Sequence, residues 1–215
     1  MVNGVVTNAA TFAPTAKQSS KTTKAPVVRN TREGCTITHR EYLFDVTRGT
    51  SAFSVDNVAV NPGISNSFPW LAQIAGRYES YTFERLDYVY QPMVPTTQPG
   101  SVMMAIDFDA ADAAPNTKQV LMAYAGANRG APWQPFKISA SAIDRKKMVV
   151  ERYVRSGQLP ANTDVKTYDL GSLFVGTVGT GANAVTLGEV YVEYTVRFRT
   201  PQIQTTPGVR IGRLS

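Results

Sequence analysis

The 215-residue chain has the length of one domain with tails; 43% of its residues are hydrophobic, enough for a core, and only 18% are charged. The net charge of +6 is split: five bases and no acid precede Glu33, four bases and no acid follow Glu193, and residues 33–193 hold 13 bases against all 16 acids, a net of −3. One cysteine, Cys35, excludes an intramolecular disulfide and a thiolate zinc cage, no apolar run nears the ~20 residues that cross a bilayer, and no secretory signal opens the chain, so no membrane partner is expected.

Residues 1–33 are rich in Ala, Thr, Ser, Asn and Lys, with Phe12 as the only aromatic. Such a segment cannot bury enough apolar surface to offset its ordering entropy, which predicts a disordered arm. Its bases, Lys17, Lys21, Lys24, Arg29 and Arg32, suit phosphate neutralisation by counterion release. A solvated tail without a partner has the same composition.

The body is expected over 34–202, with a short tail at 203–215. Strand candidates follow one another at 36–47, 52–60, 78–91, 101–109, 133–139, 147–154, 167–178 and 187–199. The final candidate shows the strongest period of two. Val190, Val192, Tyr194, Val196 and Phe198 fall on one face, and Tyr191, Glu193, Thr195, Arg197 and Arg199 on the other. In 101–109 the alternation is interrupted by Met103 on the polar side. Breaks bearing Pro and Gly separate the candidates, and two short helices are predicted at 68–77 and 116–124. Eight strands without a repeat of fixed period predict an all-β antiparallel sandwich; the jelly roll is the eight-stranded version, and an immunoglobulin-like sandwich is the alternative.

Signals for catalysis are sparse. His39, the sole histidine, lies within a predicted strand, where a packing role is expected over a catalytic one. GTVGTGA at 176–182 lacks the Lys-Ser/Thr of a phosphate loop and reads as a turn. Asp107, Asp109 and Asp112 stand at the end of a predicted strand, where residues two apart share a face. Close like charges require a proton or a cation, and Ca²⁺ with its oxygen ligands suits the set. Three acids are too few for a full shell, so a second subunit or backbone carbonyls would have to contribute; solvated loop carboxylates are the other reading. Arg145, Lys146 and Lys147 form a basic cluster that could face RNA or be a solvated turn.

Four blocks in order, NPGISNSFPWLAQIAGRYESYTFERLDYVYQP (61–92), GSVMMAIDFDAADAAPNTKQ (100–119), GAPWQPFKI (130–138) and GEVYVEYTVRFRTPQ (188–202), resemble the shell domain of tombusvirus-like plant virus coat proteins, including carmovirus, necrovirus and sobemovirus relatives. The resemblance implies an eight-stranded jelly roll whose identical copies tile a closed shell around single-stranded positive-sense RNA, with the basic arm facing inward. It also implies Ca²⁺ bound between subunits with help from Asp107, Asp109 and Asp112, and a virion location after synthesis in the host cytoplasm. The chain ends soon after the last strand, as a shell-only relative without a protruding domain would. A lectin-like jelly-roll module, a β-sandwich hydrolase and a viral movement protein are the competing functions.

Overall fold

A computed structural model describes residues 25–159 and 161–203. Ten strands and four short helices follow in the order β1 (Val27–Thr31), β2 (Gly34–Arg48), β3 (Ser54–Ala59), α1 (Ala72–Ala75), β4 (Tyr78–Pro92), β5 (Ser101–Asp107), α2 (Lys118–Ala123), β6 (Asn128–Gly130), β7 (Phe136–Ser139), α3 (Ala140–Ile143), α4 (Arg145–Met148), β8 (Arg152–Tyr153), β9 (Ser172–Val178) and β10 (Val185–Pro201). They form two antiparallel sheets. One runs β1-β2-β10-β4-β7, with β8 also on β4; the other runs β3-β9-β5-β6. This is the jelly-roll sandwich expected from the succession of strands.

The sheets face each other across one continuous apolar cluster. Ile37, Leu43, Phe83, Leu86, Tyr88, Val192, Tyr194, Val196 and Phe198 enter from the larger sheet, and Val102, Met104, Ile106, Leu173 and Val175 from the smaller. In β10 the burial alternates residue by residue, as a period of two requires when one face meets a core. Aromatic rings hold the segment before α1 to the larger sheet: Phe68 stacks on Phe83 at 5.6 Å and meets Tyr194 edge-on at the same distance.

β5 and β9 are buried on both faces. Their outer face carries Met103, Ala105 and Phe174 against Leu121 of α2, a second small core. Met103 therefore breaks the alternation for a reason, since its side of the sheet is covered by a helix instead of water. Gly176 lets that helix close in, because a Cβ there would stand 2.7 Å from Leu121 Cδ1.

Three expectations need correction. The body begins before Gly34: β1 pairs with β2 from Val27 opposite Thr38 to Thr31 opposite Gly34, so the arm's last residues are a sheet edge held by backbone hydrogen bonds. All five β1 residues are exposed, which is why composition suggested disorder. The expectation for residues 1–24, including Lys17, Lys21 and Lys24, lies outside the described residues, as does that for 204–215. Second, 147–154 is not one strand. Asp144 accepts the Lys147 N–H at 3.1 Å and caps α4, and only Arg152 and Tyr153 pair with β4. Third, α2 is shorter than the predicted 116–124: it spans Lys118–Ala123 and is capped by the Thr117 side chain.

Candidate nucleic-acid and subunit-contact surfaces

Of the five arm bases, the structure describes Arg29 and Arg32, both exposed on the β1–β2 hairpin. Register gives Arg29 company that spacing along the chain does not reveal. Arg29 lies opposite Thr36, and Thr36 opposite Arg197 of β10, so the three share one outward row. Arg199 stands one pleat further along β10. Each β10 arginine has an acidic partner: Arg197 pairs with Glu84, and Arg199 with Glu151 at 2.5 Å. Arg145, Lys146 and Lys147 are exposed on α4, a solvated helical turn.

Further along the same outward face, Arg85 bridges Asp87 at 2.6 Å and Glu193 at 2.7 Å. Arg40 donates to Gln91 at 3.0 Å and lies 4.5 Å over the Tyr191 ring. This mesh balances charge across β2, β10 and β4. Elsewhere, Val149, Val150 and Tyr153 are each about half exposed, an apolar group beside the α4 bases.

The three aspartates are brought near one another but do not share a strand face. β5 ends at Asp107, and the backbone turns there because Asp107 Oδ1 accepts the Asp109 N–H at 2.9 Å. Asp109 repeats the device, its Oδ1 accepting the Ala111 N–H at 3.0 Å. Asp109 Oδ2 receives the Lys166 ammonium at 2.6 Å. Asp112 is exposed. Asp107 is 8% exposed, and its buried Oδ2 finds no hydrogen-bond partner among the described residues. Burial pushes its carboxyl up, and the charges of Asp112 and Asp109 add to that; the Asp109 N–H and the Tyr124 hydroxyl pull the other way. Among the described residues no three acidic, His or Cys side chains gather into a metal-holding group. The aspartates fit a hard cation only in part. Asp107 Oδ2 meets no hydrogen bond of ordinary geometry and the carboxyl has only the pull of the Tyr124 hydroxyl and the Asp109 N–H, while Asp109 already has a cation.

Two buried polar anchors position these surfaces. Asn61, fully buried, donates through Nδ2 to the carbonyls of Tyr168 (2.9 Å) and Tyr153 (3.1 Å) and to Asp169 Oδ1 (3.2 Å). Its Oδ1 accepts the N–H of Gly63 and of Arg155. Asp169 in turn holds Arg155 through two bonds, at 2.7 and 2.6 Å. Gly63 is needed for closeness: a Cβ would meet the Arg155 carbonyl oxygen at 2.5 Å. The Asn-Pro-Gly of the first block thus ties together two distant segments, 153–155 and 168–169. The second anchor is Glu41, whose buried carboxylate accepts the Trp70 N–H at 2.7 Å and the Tyr194 hydroxyl at 2.9 Å, pinning the turn before α1 to the sheet. Burial pushes the Glu41 carboxyl up, against the pull of those bonds. His39 sits beside this anchor, edge-on to Trp70 at 4.9 Å and to Tyr194 at 6.4 Å, in a packing role.

Sequence reasoning missed Lys166, which is 57 residues from Asp109 and gives no local signal. It also missed Glu41, a carboxylate within a strand pattern. A polar residue at an inward position of β2 was the available clue.

Two antiparallel sheets in this strand order, closed over a common core, define a viral-type jelly roll. The family model for the viral coat protein S domain matches residues 8–204, and the chain belongs to that family. It is similar to the capsid protein of Artichoke mottled crinkle virus, 31% identical over 208 residues, covering 93% of this chain and 51% of the relative. The capsid protein of Oat chlorotic stunt virus is 30% identical over 187 residues, 82% of this chain and 39% of the relative. The chain thus spans about two fifths to half the length of these curated relatives. Among solved structures, Cucumber Leaf Spot Virus superposes with a TM-score of 0.75 at 31% identity, covering 94% of this chain and 61% of the other. Tobacco necrosis virus shares the fold, with a TM-score of 0.74 at 19% identity over 83% of this chain and 88% of the other.

Proposed function

We propose that this chain is a capsid subunit that assembles with identical copies into a closed, icosahedral shell and packages single-stranded positive-sense RNA. The observation that carries the reading is the coat-protein S-domain match over nearly the whole chain, on a jelly roll that superposes on a plant virus particle's subunit at 31% identity. The role is structural and not catalytic: His39 packs against aromatic rings, and the buried carboxylates serve as anchors. Synthesis in the host cytoplasm precedes incorporation into the virion.

RNA binding falls to Lys17, Lys21, Lys24, Arg29 and Arg32. Phosphate neutralisation by these bases reads no sequence, and removing any one of them should lower the salt dependence of binding by about one unit of slope. Apolar groups such as Val149, Val150 and Tyr153 offer surface that identical copies can bury. Ca²⁺ between subunits is the reading the aspartates support, with Asp107, Asp109 and Asp112 supplying oxygens and a second copy completing the shell. The nearness of the three carboxyls, whose charges raise the Asp107 carboxyl, is the observation in its favour.

Expression of the protein with RNA, followed by the absorbance ratio of purified particles, tests packaging. Removing residues 1–24 leaves β1 in place, so shells should still form but with their RNA content sharply reduced. Unchanged RNA content would refute the arm's role, and sugar binding by a small oligomer would favour a lectin-like module.

A further inference from the structure

One end of the sandwich is built from loops that carry no charge. Register brings four connections to it: 49–53 between β2 and β3, 93–100 between β4 and β5, 131–135 between β6 and β7, and 179–184 between β9 and β10. None of their residues is Asp, Glu, Lys, Arg or His, although 18% of the chain is charged. Arg48, which precedes the first, is drawn inward to Thr177 at 3.0 Å and to Asp56. Arg129 and Lys137 flank the third from the sheet edges. The opposite end holds Arg77, Asp109, Asp112 and the charges of 144–169. Neutral bonds fix the uncharged loops to one another. The Gly179 N–H donates to the Ser51 carbonyl at 3.0 Å, the buried Thr180 hydroxyl to the Thr50 carbonyl at 3.0 Å, and Gln98 Nε2 to the Thr180 carbonyl at 2.9 Å. The Tyr90 hydroxyl holds the remaining connection through the Pro132 carbonyl at 2.6 Å. Apolar surface nevertheless stays uncovered there, with Met93 60% and Trp133 40% exposed.

We propose that this end is where several copies of the chain meet around a rotation axis of the shell, burying Met93 and Trp133 between neighbours. The proposal rests on the capsid reading above and adds which surface closes a ring. A side chain close to a rotation axis faces its own image in the next copy, so any charge there meets the same sign. A surface of that kind has to be neutral. Its apolar residues fit as well, since interface cores are depleted in Lys, Glu and Asp and enriched in aromatics and Met. Loops already tied to one another also spare the entropy of ordering on contact. RNA does not suit this end, because the four loops offer no cation to its phosphates. The turn 95–98, closed by the Gln98 N–H on the Pro95 carbonyl at 3.0 Å, leaves Thr96 and Thr97 exposed at its corner.

The test uses the 215-residue wild-type chain, Thr97→Lys, Thr97→Glu and the neutral Thr97→Gln. Light scattering gives the protein concentration at which particles form with a fixed amount of single-stranded RNA at low salt. Both charged variants should need about tenfold more protein than the wild type, whichever sign they carry, because each meets its own kind across the axis. Thr97→Gln should assemble as the wild type does. An equimolar mixture of Thr97→Lys and Thr97→Glu should assemble at a lower concentration than either alone, since unlike neighbours attract. An unchanged threshold in both charged variants overturns the axis contact and leaves the capsid reading standing. A threshold raised in both and unrelieved in the mixture marks damage to the turn, and overturns the role given to charge. Failure of the wild type itself to form particles overturns the capsid reading and the axis contact with it.

Discussion

In the larger sheet, β10 buries every second residue from Val190 to Phe198, and the residues between them meet outward partners such as Arg85, Arg40 and Glu84. In the smaller sheet, β5 buries six of its seven residues and β9 likewise. The strands have similar backbones and opposite patterns, and α2 makes the difference. Leu121 and its neighbours close the outer face over Met103, Ala105 and Phe174, so that side needs no polar residues. Between them the sheets divide the work: one presents a polar, charge-matched face outward, and the other is sealed by its own chain.

The sharpest way to break this comparison is to empty the sealed side. Phe174→Ala should cost about 3–5 kcal/mol in chemical denaturation, as for other fully buried aromatics. A loss under about 1 kcal/mol would mean that α2 does not form a true core. Next comes the anchor that holds the turn before α1 to the larger sheet. Glu41→Ala strands the Trp70 N–H and the Tyr194 hydroxyl and should cost about 1–3 kcal/mol. Gly176→Val, which drives bulk into Leu121, should cost about 1–3 kcal/mol and loosen α2, seen as faster amide exchange over 118–123. On the outward face the same scale shrinks. Thr195→Ala removes an exposed 3.0 Å bond to Thr38 and should change stability by no more than about 0.5 kcal/mol.

Glu41 adds a dependence on pH. Burial holds its carboxyl above the ordinary value of 4.5, so the folded state favours the protonated form. Its contribution is complete below pH 4.5 and is lost as pH rises through the elevated value. The stability of the wild type relative to Glu41→Gln should therefore fall with rising pH across that window. A difference that grows with pH would mean that the hydrogen bonds outweigh desolvation.

The contrast between the sheets also explains what was legible in the sequence. β10 and β4 declared themselves because solvent on one face forces alternation. β1 did not, since an edge strand exposed at every position carries no burial pattern and is specified only by its partner's backbone. Residues 147–154 misled because Val149 and Val150 are β-branched yet exposed, while the Asp144 cap turns Arg145–Met148 into helix. The aspartates were visible as a cluster, but their geometry was not: the Asx turn at Asp107 redirects the chain, and Lys166 arrives from a distant segment. Local spacing carries strand faces and caps; it does not carry which remote side chain meets a turn.

Sedimentation velocity on the purified 215-residue chain mixed with single-stranded RNA tests the central claim most directly. A self-tiling coat subunit predicts a uniform, megadalton boundary that disappears as salt and denaturant dissociate the particle. A single boundary at the mass of one or two chains, unchanged by RNA, Ca²⁺ or ionic strength, would contradict it.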